Sequence, residues 1–100
     1  MDRDHVDSPG TQTFLVERYW PGVDEAIARS VVSNLERAAR AMTSEGTPVA
    51  HVGSILMPAD QVVFSLIEAT DERVARQVNE RADVPLDRIA VAITLRLQSR

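Results

Sequence analysis

The sequence predicts one α+β domain whose elements follow the order β-α-β-β-α-β. Four segments rich in β-branched and aromatic residues have the composition of strands. Two segments between them repeat apolar residues at helical spacing. A short polar link joins the second and third strands, which is typical of a hairpin. With 100 residues, 44% of them hydrophobic, the chain can bury one modest core of its own.

The first half of the domain is predicted to hold a strand and a long helix. Strand one is expected at residues 11–20, where Pro21-Gly22 ends it. Asp24 suits a helix start, because the exposed backbone amides there favour a negative side chain. The helix is predicted to end at Gly46. Its apolar stripe consists of Ile27, Val31, Leu35, Ala38 and Met42.

The second half is predicted to hold a hairpin, a shorter helix and a last strand. Strand two is expected at 48–57 and strand three at 61–68. Asp71 offers a second helix cap, and Val84-Pro85 ends that helix. Strand four is predicted at 89–97, where large apolar residues alternate with smaller or polar ones.

This order is that of the ferredoxin-like fold, a four-stranded antiparallel sheet with two helices on one face. Right-handed crossovers place strands one and three at the centre, with strands two and four outside. Residues 1–10 are polar and aperiodic, which predicts an N-terminal tail before a domain at 11–97.

Alternation along the strands predicts which residues lie under the helices. The strongly apolar set is Phe14, Val16, Val62, Phe64, Leu66, Ile89, Val91, Ile93 and Leu95. The mixed set, expected on the bare face, is Leu15, Glu17, Tyr19, Val63, Ser65, Ile67, Ala90, Ala92 and Thr94. Strand two stays unassigned, because Gly53 is typical of a bulge. A half-apolar bare face indicates an interface, so we expect a homodimer, a dimeric α/β barrel, and the alternative is a monomer.

Composition argues against several classes of function. The net charge is −4 and the eleven arginines are scattered, which argues against nucleic-acid binding. With no cysteine there is no disulfide or thiolate. No apolar run is long enough to span a membrane, and the polar start lacks a signal-peptide core, so a cytoplasmic location is expected. The four glycines are isolated, so no phosphate-binding loop or cofactor fingerprint is present, and no cofactor is predicted.

Four motifs together resemble a known family. They are Phe14-Leu15-Val16-Glu17-Arg18, Pro21-Gly22, Ile67-Glu68-Ala69-Thr70-Asp71 and Arg81-Ala82 … Pro85-Leu86-Asp87-Arg88-Ile89. Over residues 13–95 the chain resembles a small actinobacterial family of ferredoxin-like domains whose named representative binds nickel. The resemblance implies the fold and a dimer, but no reaction.

The chain departs from this family where relatives carry metal ligands. Many relatives have a cysteine three residues before the glutamate of the Glu-Ala pair, where this chain has Ser65. Many have a histidine on the second helix, at about the place of Val78. Nickel and zinc favour imidazole and thiolate ligands, and the chain has only His5 and His51. No metal site is therefore predicted.

Glu17 is the most prominent candidate for chemistry, because it interrupts an apolar strand. Burial in a dimer cavity raises the pKa of a carboxyl group and makes it a candidate general base. The structural alternative is an ion pair with Arg18, Arg88 or Arg96. Arg88 itself is expected to tie its loop to Glu68 or Asp71.

A ligand pocket is predicted from side chains near the end of strand one and on strands two and three. Its expected members are Glu17, Tyr19, Trp20, His51 and Ser65. His51 is a candidate acid, base or ligand, or simply a hydrogen-bonded strand residue. Trp20 is expected to cap the core rather than to gate the pocket.

Three classes of function remain open. The first, favoured by the resemblance, is a dimeric small-molecule or metal-responsive binding protein of uncharacterised specificity, without catalysis; an apolar small molecule is one expected partner. The second is a cofactor-free isomerase, cyclase or oxygenase that acts on an apolar metabolite, with Glu17 and His51 transferring protons and Tyr19 assisting; this rests on fold analogy. The third is a structural assembly module. Whether the chain is an enzyme is thus left open.

Overall fold

The computed structural model describes residues 10–95 and has the predicted order of elements. The elements are β1 (Gln12–Tyr19), α1 (Glu25–Ser44), β2 (Val49–Met57), β3 (Val62–Ala69), α2 (Glu72–Arg81) and β4 (Arg88–Ala92), with a short 3₁₀ turn at Pro58–Asp60 between β2 and β3. The sheet is antiparallel in the order β2-β3-β1-β4, as predicted. Residues 1–9 of the predicted tail (1–10), with His5, and residues 96–97 of the predicted last strand lie outside the described residues.

Both helices begin at the predicted aspartate caps. Asp24 Oδ1 accepts a hydrogen bond from the amide of Ile27 at 2.8 Å. Asp71 Oδ1 accepts one from the amide of Val74 at 3.0 Å. Each bond satisfies an amide that has no partner within its helix. Within residues 10–95, no helix is long and apolar enough to cross a membrane.

The core lies between the helices and one face of the sheet. Its largest fully buried apolar side chains include Phe14 of β1, Leu35 of α1 and Ile67 of β3. Trp20 is partly buried and packs against this core, which is the position expected for it. A core on one side only leaves the other face of the sheet without helices over it.

The prediction for β3 was wrong: its two faces are exchanged. Phe14 pairs with Ile67 and Val16 with Ser65, and residues paired across strands point to the same side. Val63, Ser65 and Ile67 therefore lie under the helices and are fully buried. Val62, Phe64 and Leu66 lie on the bare face instead. Because β3 is apolar at both alternating sets of positions, alternation gave no means to choose between its faces.

The last strand is shorter than predicted. β4 ends at Ala92, which pairs with Thr13 near the start of β1. Beyond this point β1 offers almost no backbone to pair with, so Ile93 to Leu95 continue without strand structure.

In β2 the register shifts between His51 and Gly53, which is the irregularity expected there.

Candidate functional site

The bare side of the sheet is the largest candidate surface. We call it the open face. Its members are Thr13, Leu15, Glu17 and Tyr19 of β1, Gly53, Ile55 and Met57 of β2, Val62, Phe64, Leu66 and Glu68 of β3, and Arg88, Ala90 and Ala92 of β4. Tyr19, Ile55 and Met57 are exposed, at 55%, 58% and 42%. A contiguous apolar area of this kind is typical of an interaction or ligand surface.

One ion pair lies within this apolar surface. Glu17 pairs in register with Arg88 of β4 and with Phe64 of β3. Arg88 Nη1 is 3.5 Å from Glu17 Oε1, so the predicted alternative of an ion pair at Glu17 is the observed arrangement. Arg88 contacts Glu17 rather than the expected Glu68 or Asp71. Its side chain is 65% exposed and that of Glu17 33%, so both remain accessible from the open face.

The loop before β4 fixes the end of β1 beside this pair. The amide of Tyr19 donates to Asp87 Oδ2 at 2.6 Å. The amide of Asp87 donates to the carbonyl of Glu17 at 2.9 Å. These reciprocal bonds hold Tyr19 and Arg88 on the same side of the sheet, next to Glu17.

A second polar cluster lies under the helices and is centred on Arg18. The side chain of Arg18 is fully buried. Its Nε donates to the carbonyl of Pro85 at 2.7 Å, Nη1 to Ser65 Oγ at 2.9 Å and Nη2 to Asn79 Oδ1 at 2.6 Å. Burial lowers the pKa of Arg18 to about 10, and the charge of Asp87 opposes this shift. Three neutral acceptors thus hold a cation inside the core.

A chain of hydrogen bonds leads from Arg18 through two serines to His51. Ser65 Oγ accepts from Arg18 and lies 2.7 Å from Ser54 Oγ, which lies 2.8 Å from His51 Nε2. Because Arg18 only donates, the Ser65 hydroxyl proton is free to go to Ser54. The Ser54 proton then goes to His51 Nε2. With the hydroxyl protons assigned in this way, His51 is neutral and carries its proton on Nδ1.

The chain of hydrogen bonds ends at the surface of α1. His51 Nδ1 is buried without a hydrogen-bond partner, and Glu36 Oε2 lies 3.5 Å away. The His51 side chain is 3% exposed, whereas that of Glu36 is 50% exposed. Burial lowers the pKa of His51; the Glu36 carboxylate opposes this shift and the charge of Arg18 reinforces it.

The five predicted pocket residues do not share one pocket. Glu17 and Tyr19 lie together on the open face. His51 and Ser65 lie on the opposite side, joined through Ser54. Trp20 packs against the core. The sheet therefore separates Glu17 from His51, and the two do not act on one molecule from these positions.

Sequence reasoning did not identify the buried cluster. Arg18 follows Phe14 and Val16 at the period of a strand, so alternation is the signal that could have placed it on the core face, but the predicted set for that face does not include it. The sequence indicates Arg18 only as a possible ion-pair partner for Glu17. Ser54, Glu36 and Asn79 carry no sequence signal. The pairing of β2 with β3 brings Ser54 to Ser65, and the packing of α1 and α2 on the sheet brings Glu36 to His51 and Asn79 to Arg18.

The described residues offer little to a metal ion. Among residues 10–95 there is no group of three or more His, Asp or Glu side chains that could hold one. Ser65 points at a buried guanidinium and Val78 is a buried apolar residue. The Nδ1 atom of His51 carries a proton in the arrangement described above, so it has no lone pair to offer.

Comparison with known proteins supports the fold. No family model matches the chain, and no curated protein matches it. Among solved structures, SCO4226 from Streptomyces coelicolor A3(2) has a similar structure, with a TM-score of 0.63 and 19% sequence identity. The match covers 84% of this chain and 99% of that one. This likeness shows the βαββαβ class of fold, and at this identity it shows no more.

Proposed function

We propose that the protein is a cytoplasmic homodimer that binds a small, largely apolar molecule between two open faces. The observation that carries this proposal is a largely apolar sheet surface, which no helix of residues 10–95 covers and which carries the ion pair Glu17–Arg88. Two such faces opposed to each other form a dimeric α/β barrel. Burial of apolar side chains such as Ile55 and Phe64 is the driving force.

The charges of the open face support a second copy as its partner. A two-fold interface brings the same patch from both subunits together, so the patch has to complement itself. The open face carries Glu17 beside Arg88 among largely apolar side chains. A two-fold axis that passes between the two charges, perpendicular to the line that joins them, places each acidic group near a basic group of the other subunit.

The same pair gives the ligand site its polar end. Among residues 10–95, Arg88 forms an ion pair with Glu17 through Nη1. A guanidinium has five N–H donors, so others can bind a ligand. Phe64, Leu15 and Leu66 form the adjoining apolar wall. The chemistry favours a ligand with an apolar body and an acceptor group, such as a carboxylate or sulfonate, directed at Arg88.

Nickel is not part of this proposal, although the resemblance would suggest it. The positions of the soft ligands are taken by Ser65, which is engaged by Arg18, and by Val78. A buried guanidinium next to Ser65 repels a cation.

The proton-transfer alternative would have to rely on Glu17 and Tyr19, because His51 lies on the other side of the sheet.

Native mass spectrometry tests the dimer, and titration with the apolar sulfonate 1-anilinonaphthalene-8-sulfonate tests the pocket. We expect dimers, and an Arg88→Met variant that remains dimeric but binds the probe about tenfold more weakly, equivalent to about 1.4 kcal/mol. Arg29→Met, which removes an exposed arginine of α1, serves as the matched control. Monomers at all concentrations, or equal probe affinity in the Arg88 and Arg29 variants, would refute the proposal.

A further inference from the structure

A groove of about 590 Å³ lies between α1 and the first residues of β2. We call it the α1–β2 groove. One wall is a stripe of α1 whose members recur at helical spacing, namely Glu36, Ala39, Arg40, Thr43 and Ser44. The other wall is formed by Val49, Ala50 and His51 of β2. The groove is far from the Arg88 end of the open face, because β2 and β4 are the two opposite edge strands of the sheet.

Two hydrogen bonds fix the shape of this groove. Thr43 Oγ1 donates to the carbonyl of Val49 at 2.9 Å and accepts from the amide of Val49 at 3.2 Å. They tie the last turn of α1 to the first residue of β2. Ala39 and Val49 are buried and form the apolar base of the groove. The two walls are therefore held in place by the fold itself, and the base offers contact to an aliphatic group.

His51 brings an unused hydrogen-bond donor to the groove. Its Nε2 is fixed by Ser54 Oγ, while its Nδ1 is buried without a hydrogen-bond partner. Glu36 Oε2 lies 3.5 Å from Nδ1, which is beyond the usual range of about 2.7–3.2 Å for an N–H···O bond. With the proton on Nδ1, as assigned above, this N–H group is unsatisfied. An acceptor atom of a ligand would recover the free energy that the unsatisfied donor costs.

Arg40 brings an unpaired positive charge to the same groove. It is exposed and has no hydrogen-bond or ion-pair partner among residues 10–95. Glu36 precedes it by four residues, a spacing typical of ion pairs on helices. The carboxylate of Glu36 nevertheless lies beside His51 and not beside Arg40. The groove thus presents one cation, one half-exposed carboxylate and one neutral N–H donor.

We propose that the α1–β2 groove binds an aliphatic α-amino acid in its zwitterionic form. The ligand carboxylate accepts hydrogen bonds from His51 Nδ1 and from the guanidinium of Arg40. The ligand ammonium donates to the carboxylate of Glu36. The aliphatic side chain lies along Ala39 and Val49. This site does not depend on the dimer or on the open-face ligand proposed above.

The charges of the groove favour a zwitterion over a simple anion or a simple amine. Glu36 repels a ligand that carries only a carboxylate, and Arg40 repels one that carries only an ammonium group. The two residues lie about 6 Å apart along the helix axis, and their long side chains can converge on the adjacent charged groups of an α-amino acid. Glu36 is half exposed, so it can turn from His51 to the ligand without disturbing the core.

Titration with L-leucine, followed by nuclear magnetic resonance of the imidazole nitrogens of His51, tests the proposal. The substitution His5→Gln leaves His51 as the one histidine of the chain, so its signals are unambiguous. We expect these signals to shift in a saturable way. L-Leucine should bind at least about tenfold more tightly than 4-methylpentanoate, which lacks the ammonium group, or 3-methylbutylamine, which lacks the carboxylate. No shift at millimolar L-leucine, or equal affinity for either analogue, would overturn the proposal.

Substitutions on α1 identify the groups that bind the ligand. Arg40→Met should weaken L-leucine binding by about tenfold or more. Arg37→Met is the matched control, because Arg37 lies on the same helix but contacts Asn34 and does not line the groove. Equal affinity in these two variants would contradict the role of Arg40.

The Arg88→Met variant distinguishes this site from the open face. We expect it to bind L-leucine as wild type does, even though its affinity for the apolar sulfonate falls. If Arg88→Met weakens L-leucine binding and Arg40→Met does not, the amino acid binds at the open face. That result would refute the inference and leave the proposed function standing. Loss of sulfonate discrimination with intact L-leucine binding would have the opposite meaning.

Discussion

Asn79→Leu should destabilise the protein markedly, because it removes a neutral acceptor from a buried cation. Asn79 is 1% exposed, and its Oδ1 receives the 2.6 Å hydrogen bond from Arg18 Nη2. Leucine has a similar volume, so packing changes little. A hydrogen bond to a charged group contributes about 1.5–3 kcal/mol, and the orphaned N–H adds to the loss. The amide bond from Asn79 to the carbonyl of Ala75 also disappears. We expect a loss of about 2–4 kcal/mol.

Urea unfolding, followed by circular dichroism, measures this loss. With a slope of about 1–1.5 kcal/mol per molar urea, the midpoint should fall by roughly 2 M. Asn34→Leu is the matched control, since Asn34 also accepts from an arginine, Arg37, but at the surface of α1. That substitution should change stability by less than about 0.5 kcal/mol. Equal effects of the two substitutions would mean that Arg18 does not depend on its buried acceptors, and the reasoning would fail.

Three further outcomes follow from single positions. Asp83 has a φ of 60°, so Asp83→Gly should raise stability by up to about 1 kcal/mol in thermal unfolding, and a lower melting temperature would count against this. Asp71→Ala removes the cap of α2 and should cost about 1 kcal/mol in the same assay, whereas Asp60→Ala should be nearly neutral. Burial lowers the pKa of His51 in the folded protein, and the Glu36 carboxylate opposes this shift. The contribution of neutral His51 to the free energy of unfolding is therefore complete above about pH 6.5, the pKa of histidine in the unfolded chain, and is lost as the pH falls below that value. His51→Gln should therefore lose less stability than wild type between pH 7.5 and pH 5.5. An identical dependence of stability on pH in the two proteins would contradict the lowered pKa of His51.

The order of elements and the strand order were predictable because their signals are local. Aspartate caps, apolar spacing and Pro-Gly breaks act within a few residues, so they can be recognised without tertiary contacts. The handedness of strand–helix–strand crossovers then restricts the topology to the order observed. Glu17 was also recognisable, since a carboxylate among apolar strand residues is conspicuous in any fold.

Tertiary structure decided which face of β3 is buried, where β4 ends and what surrounds Arg18. β3 is apolar at both alternating sets of positions, so only its register against β1 selects Ser65 and Ile67 for the core. β4 ends beside the start of β1, because a strand needs the backbone of a neighbouring strand to pair with, and alternation in its own sequence is not enough. Arg18 is bonded to Ser65, which lies 47 positions further along the chain, and to Asn79, which lies 61 positions further along. Such contacts depend on how the helices pack on the sheet, and no local pattern encodes them.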